Sequence, residues 1–253
     1  METTPLNYQF EMTKEKVSRL CNEKKTEQAK EEWKVFLNSV IYHHSWDIIK
    51  NYSEACISQL PEYHIGYLSA GIACLNLQDY STALTHFIKV LDLYPNHVIA
   101  LKHKSETLYV MDRYEEALHC AELLRQTDLF NPEYIKLVSS NLDMLGRYEE
   151  SLDLVEEGLR IHPENCNLML EKAMGLNILG DRVGALEFYA KAEQLVRKNT
   201  LSPELISTLI LLHLNRGGML KNEIDESGGE DEQNLGFVLM ELANAKTFEN
   251  RTN

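Results

Sequence analysis

A chain of 253 residues is long enough for one large domain or two modest ones, and too long to need disulfides or metals in place of a core. Its 39 acidic and 25 basic residues leave a formal net charge of −14. That argues against DNA, RNA or an anionic membrane as partner and favours a basic one. The cysteines, Cys21, Cys56, Cys74, Cys120 and Cys166, are odd in number and far apart, which fits neither a disulfide framework nor a close-paired zinc site and reads as buried thiols of a cytoplasmic protein. The first ten residues carry no signal-peptide pattern, and no apolar window is long enough to insert in a membrane.

In chain order, residues 1–29 read as an N-terminal helical extension, with helices reaching upstream to about Thr13. Two registers compete around Trp33. In one, Val17, Leu20, Ala29, Trp33 and Phe36 form a hairpin with its turn at Asn22 to Lys25. In the other, Trp33 opens a unit whose second helix runs from Trp46 to Leu60, capped by Ser45 and closed by Pro61. Residues 30–215 then repeat. The small residues Ala83, Ala117, Ser151 and Ala185 are 34 residues apart, and Asp79-Tyr80, Arg113-Tyr114 and Arg147-Tyr148 precede three of them in the same phase.

Each copy holds two amphipathic stretches, such as Ile65, Leu68, Ile72, Leu75 followed by Leu84, Phe87, Ile88, Leu91. Helix pairs are expected near 30–63, 64–97, 98–131, 132–165 and 166–199. The expected buried set is Tyr67, Ala70, Gly71, Cys74, Ala83, Phe87, Ala117, Leu142, Leu176, Ala185 and Tyr189. Ser202-Pro203 starts a further helix. Residues 216–234, with six carboxylates from Glu223 to Glu232 between glycine pairs, read as an acidic flexible loop, and 235–253 as a capping helix and tail.

The copy Tyr67-x₂-Ala70-Gly71-x₂-Cys74, Ala83-x₃-Phe87, Pro95, with three further copies in phase, resembles the tetratricopeptide repeat family. The resemblance implies an all-α fold, a helical-hairpin solenoid wound into a right-handed superhelix. It also implies that first helices line a concave groove. Their groove-facing residues would be Glu31, Lys34, Asn38; Ile65, Leu68, Ile72, Leu75; Ile99, Lys102, Glu106, Tyr109; Glu133, Lys136, Ser140, Asp143; and Asn167, Leu170, Met174, Asn177. Some family members hold a C-terminal carboxylate with a Lys, Asn and Arg clamp. Lys34 and Asn38 stand where that clamp would start, but Ser69, Ile99 and His103 stand at its continuation, so a full clamp is not implied.

No glycine-rich phosphate loop, metal-ligand cluster or nucleophile–base set is apparent, so no catalytic, cofactor-binding or metal-binding residue is expected. Glu115-Glu116 and Glu149-Glu150 recur at helix starts, where they favour the positive end of the helix dipole. The expected function is a non-catalytic adaptor or scaffold subunit that binds a peptide or helix through its groove, with a chaperone-like or regulatory subunit of an enzyme complex as the alternative. The fitting partner is a protein or peptide with a basic or amphipathic segment. The chosen contact residues are Lys34, Asn38, Ile65, Leu68, Ile72, Leu75, Lys102, Tyr109 and Lys136, with Leu68 and Ile72 expected on the side of their helix opposite to the packed one.

Overall fold

The structure is a computed structural model and describes residues 5–41 and 45–198. The expected acidic loop, capping helix and Ser202-Pro203 helix start lie outside these residues. Among the described residues there are eleven α-helices and no strand. The chain divides into two compact units, one up to Thr127 and one from Asp128 onward.

In the first unit, α1 (Pro5–Asn22), α2 (Thr26–Val40) and α3 (Trp46–Gln59) share one core. Trp33, Phe36, Tyr52 and Cys56 are buried in it, and Phe10 stacks on Tyr52 at 4.3 Å between ring centroids. Polar groups tie the three helices as well. Trp33 Nε1 donates to Gln59 Oε1 at 3.0 Å, Gln59 Nε2 donates to Ser18 Oγ at 2.9 Å, and the Tyr52 hydroxyl donates to Asn7 Oδ1 at 2.9 Å. Both sequence registers are therefore realised around one tryptophan. Trp33 packs on α1 across the 23–25 turn and on α3 across the next connection. The expected boundary at residue 29 falls inside α2, because Ala29 is fully buried on the same face as Trp33.

The rest of the first unit is two hairpins, α4 (His64–Asn76) with α5 (Tyr80–Leu93) and α6 (Val98–Val110) with α7 (Tyr114–Arg125). The second unit is two more, α8 (Pro132–Met144) with α9 (Tyr148–Ile161) and α10 (Cys166–Ile178) with α11 (Arg182–Lys198). All four agree with the sequence frame within a few residues. The fold is the all-α helical-hairpin type that the repeat implies.

Local chemistry starts and stops these helices in phase. His97 Nδ1, Asn131 Oδ1 and Asn165 Oδ1, 34 residues apart, each accept a backbone N–H in the first turn of α6, α8 and α10. Every turn within a hairpin ends its first helix with a residue in the left-handed region: Gln78, Asp112, Gly146 and Gly180, again 34 apart. The following N–H reaches back five residues, as in Asp79 N to Cys74 O at 2.9 Å and Asp181 N to Leu176 O at 2.9 Å. Lys24 repeats this device between α1 and α2.

Of the expected buried set, Ala70, Gly71, Cys74, Ala83, Phe87, Ala117, Leu142, Ala185 and Tyr189 are buried, whereas Tyr67 and Leu176 are half-buried. In the other copies Leu101, Ile135 and Met169 fill the place of Tyr67 and are buried. The longer tyrosine ring extends beyond that place toward His86, 6.1 Å away. Leu176 belongs to the last described hairpin, and no described helix follows to cover its edge.

Gly71 is a close-approach glycine. A Cβ there would lie 2.6 Å from the Phe87 ring, and both residues are buried. Gly71→Ala should lower the urea-unfolding free energy by about 1–3 kcal/mol through overpacking, and Phe87→Leu in the same chain should return part of that loss. The turn residues carry a separate prediction. Gln78 has φ +61° and no glycine freedom, so Gln78→Gly should raise stability by roughly 0.5–1 kcal/mol after its own unfolded-state entropy is subtracted. Gly146→Ala, which meets no atom within 4 Å but has φ +73°, should lower stability by about 1 kcal/mol in the same denaturation assay.

Candidate functional site

The two units present the expected contact residues separately. On α2, Lys34 and Asn38 are both exposed, and Lys34 Nζ lies 3.3 Å from Glu31 Oε2. On α4, Ile65 is half-buried against the Trp33 core. Leu68, Ile72 and Leu75 are half-buried and pack on Cys74, Ala83 and Phe87. This corrects the expectation that Leu68 and Ile72 stand on the unpacked side. Apolar side chains go round α4 almost completely, so the helix has no clean polar face and its hairpin core takes up Leu68 and Ile72. On α6, Lys102 Nζ is 4.0 Å from Glu106 Oε1, His103 Nδ1 is 2.8 Å from Glu106 Oε2, and the Tyr109 ring meets Tyr114 edge-on at 5.4 Å.

The second unit holds the more unusual arrangement. Lys136, Ser140 and Asp143 follow one another at helical spacing on α8. Lys136 Nζ lies 3.8 Å from Glu171 Oε1 on α10. Glu171 is only 8% exposed. Burial pushes its carboxyl up to about 7, with Lys136 opposing and the Asp143 charge adding to the rise. Burial also raises the Asp143 carboxyl, against a lowering contact with Ser151. Asp143 Oδ1 is buried with no hydrogen-bond partner. Two carboxylates and one ammonium thus share an interface between neighbouring first helices; Ser140 donates to Glu171, and Asp143 Oδ1 is left unsatisfied.

Asp143 and Lys136 were both on the expected face, but Glu171 was not among the expected groove residues. Leu170 was, and the structure buries it to 2% exposure. The 34-residue phase contained the signal: Ser69, His103 and Leu137 stand in the place of Glu171 and are buried or half-buried, so a glutamate there must enter a packed position.

All five cysteines are free, and burial pushes the Cys56 thiol up to about 12, away from thiolate chemistry at neutral pH. Among the described residues, no group of three or more His, Cys, Asp or Glu side chains is placed to hold a metal ion. Among the same residues, no helix is long and apolar enough to cross a membrane.

The Glu171 carboxyl has a definite effect on stability. An acid raised from 4.5 to about 7 keeps its proton in the folded chain across a range where the unfolded chain has lost it. Stability therefore falls as pH rises through that window, by an amount on the order of 2 kcal/mol. Asp143 adds to the decline at lower pH, since its carboxyl is raised from 3.8. Glu171→Gln should flatten the fall between pH 5 and about 7.5 in urea unfolding measured at several pH values. His64, His86 and His97, lowered by burial, act in the opposite sense over the same window, so the assignment is read from the difference between parent and variant, and identical pH profiles for the two would exclude it.

No family model matches the chain. Over 105 residues it is 31% identical to "Protein STIP1 homolog" of Dictyostelium discoideum, a match that covers 40% of this chain and 18% of that protein, so the chain spans a small part of that relative's length. Among solved structures, MamA residues 41 to the end from Desulfovibrio magneticus RS-1 superposes with a TM-score of 0.62 at 22% identity, covering 68% of this chain and 97% of that one. A thermophilic TPR protein of Thermus thermophilus superposes with a TM-score of 0.50 at 19% identity, covering 72% of this chain and 98% of that one. These structures share the fold, and the fold agrees with what the sequence carries independently, namely four in-phase copies whose signature residues meet inside each hairpin. The chain has the helical-hairpin fold of tetratricopeptide repeat proteins.

Proposed function

We propose that this chain is a non-catalytic scaffold that binds a segment of another protein, and that the α8–α10 face recognises a basic side chain of that segment. The observation that carries the reading is the unpartnered Asp143 Oδ1 buried beside the Glu171 carboxyl. Asp143 Oδ1 is buried without a partner, while Glu171 has Lys136 at 3.8 Å and a hydrogen bond from Ser140. A buried carboxylate left in that state gains more from an incoming ammonium or guanidinium than an exposed one does, because water no longer screens the pair. The net charge of −14 would draw a basic segment toward the chain before contact. Lys136 would orient the Glu171 carboxylate.

In the first unit, the exposed Lys34 and Asn38 and the half-buried Lys102 and Tyr109 would offer polar contacts to a further stretch of the partner. The outer edges of Ile65, Leu68, Ile72 and Leu75 would add apolar ones. The same reading makes the partner a protein or peptide rather than nucleic acid or membrane, with the cytoplasm as the site of action, as the acidic composition and the free thiols support.

Selection of random 12-residue peptides on the full-length chain tests the reading. Selected sequences should be enriched in Lys or Arg. Asp143→Asn with Glu171→Gln should weaken them by at least roughly tenfold, with the helical spectrum unchanged. Binding of such a peptide should also tighten from pH 6 to 8, because a cation favours the ionised form of Glu171. Selected peptides without basic residues, or equal binding to the double variant, would defeat the proposal.

A further inference from the structure

We propose that the place where α4 and α6 begin is an acid-operated joint: His64 and His97 hold it closed as neutral rings, and their protonation on mild acidification frees the first turns of both helices. The joint belongs to the first unit alone, so it does not depend on the basic-segment reading of the second.

His64 is the first residue of α4, and His97 is the N-cap of α6. Both are half-buried, and their ring centroids are 5.3 Å apart. The Tyr94 ring, just past the end of α5, lies 4.4 Å from His64, and Tyr63 meets His64 edge-on at 5.7 Å. His97 Nδ1 accepts the Ala100 N–H at 3.3 Å. His64 Nδ1 is buried with no hydrogen-bond partner among the described residues. Later copies are built differently. Asn131 and Asn165 cap α8 and α10 at the place of His97, and Val98, Pro132 and Cys166 stand at the place of His64. Two rings that titrate near neutral pH thus take positions that the later copies give to groups that do not.

A neutral imidazole has one nitrogen free to accept, and the α6 cap requires that this be Nδ1 of His97. Protonation makes both nitrogens donors, so the cap is lost and a cation stands at the positive end of α6. A charged His64 would stand at the start of α4 in the same way, with a buried N–H that has no acceptor. The charges that bear on His64 are His97 and Lys30 of α2, and both resist its protonation. Lys30 is held by Glu27 at 2.8 Å, and Glu27 and Glu31 act on the Tyr63 hydroxyl, which burial pushes up to about 12. From α3 the joint meets Cys56, a thiol that burial keeps protonated.

Burial lowers both histidines, with the backbone of His97 opposing the change at that ring. The folded chain therefore binds fewer protons there than the unfolded one. The joint is at full strength above the ordinary histidine value of 6.5 and weakens as pH falls below it. Ile65, next along α4, packs against the Trp33 core, and Lys102 and Tyr109 follow on α6. Acid thus loosens the helices that carry the contact residues proposed for the first unit.

The test follows the full-length, isotope-labelled chain by NMR from about pH 7.5 to 5. Gly66, Ala100 and Leu101 donate the first-turn hydrogen bonds of the two helices. Their amide-exchange protection factors, from which the intrinsic pH dependence is removed, should fall at least roughly tenfold in step with the His64 and His97 ring signals. Amides in the middle of α5 should keep theirs. His97→Asn, which copies the caps of α8 and α10, together with His64→Phe should make the three protection factors independent of pH. An unchanged parent over that range, ring titration with no change at the three amides, or the same fall in the double variant would overturn the proposal. So would an equal fall throughout α5, the sign of a general loosening from the buried His86 on that helix.

Discussion

The hairpins of this protein depend on how closely two helices can approach at one point in each pair. Ser105 Oγ reaches the Ala117 carbonyl at 2.9 Å and Ser151 Oγ reaches the Ser139 carbonyl at 3.3 Å, so the backbones there are separated by little more than a hydroxyl group. The corresponding residues elsewhere are Gly71 with Ala83, and Ala173 with Ala185, all buried. A larger side chain at any of these places would force the helices apart and open the apolar layer beside them. The in-phase alanines and serines are the sequence form of that distance limit.

Once the approach is fixed, the side chains around it can vary if their volumes compensate. Phe87, Ala121, Val155 and Tyr189 occupy one place in successive hairpins and are all buried. Where the second helix is open at Gly158, Ile135 and Leu168 fill the space, since a Cβ on that glycine would lie 2.9 Å from each. The same economy explains why α4 absorbs Leu68 and Ile72. A hairpin with a glycine at its contact point brings its partner ring close enough to cover neighbouring aliphatic side chains.

Polar groups that this packing leaves unsatisfied mark the sites. The repeat has a place for Ser69, His103 or Leu137, and a carboxylate at that place, Glu171, enters a packed layer with its charge. It holds its proton to near neutrality, and its neighbour Asp143 keeps one oxygen without a hydrogen bond. On the same hairpins, the lysines that bracket Phe188 each keep a carboxylate within 4.0 Å. Closely packed hairpins can support both without strain, because substitutions on helix faces away from the contact point do not alter the helix spacing.

The sequence by itself determined the helical-hairpin fold, the 34-residue frame, the hairpin boundaries and most of the core. Each of these follows from short-range rules: apolar periodicity and small residues at a fixed interval. It also placed Lys136 and Asp143 on one helix face, since that needs only the helical repeat. Tertiary structure decided the rest. Only packing showed that Trp33 serves two neighbours at once, so that α2 starts at Thr26 and the helix pairs overlap. Only packing showed that Leu68 and Ile72 are half-buried against Phe87, because their exposure depends on where that ring lies and not on their own spacing. The state of Glu171 was equally out of reach of the sequence. Its spacing identifies an inward position, but the loss of water around it and its distances to Lys136 and Asp143 exist only once α8 and α10 lie side by side.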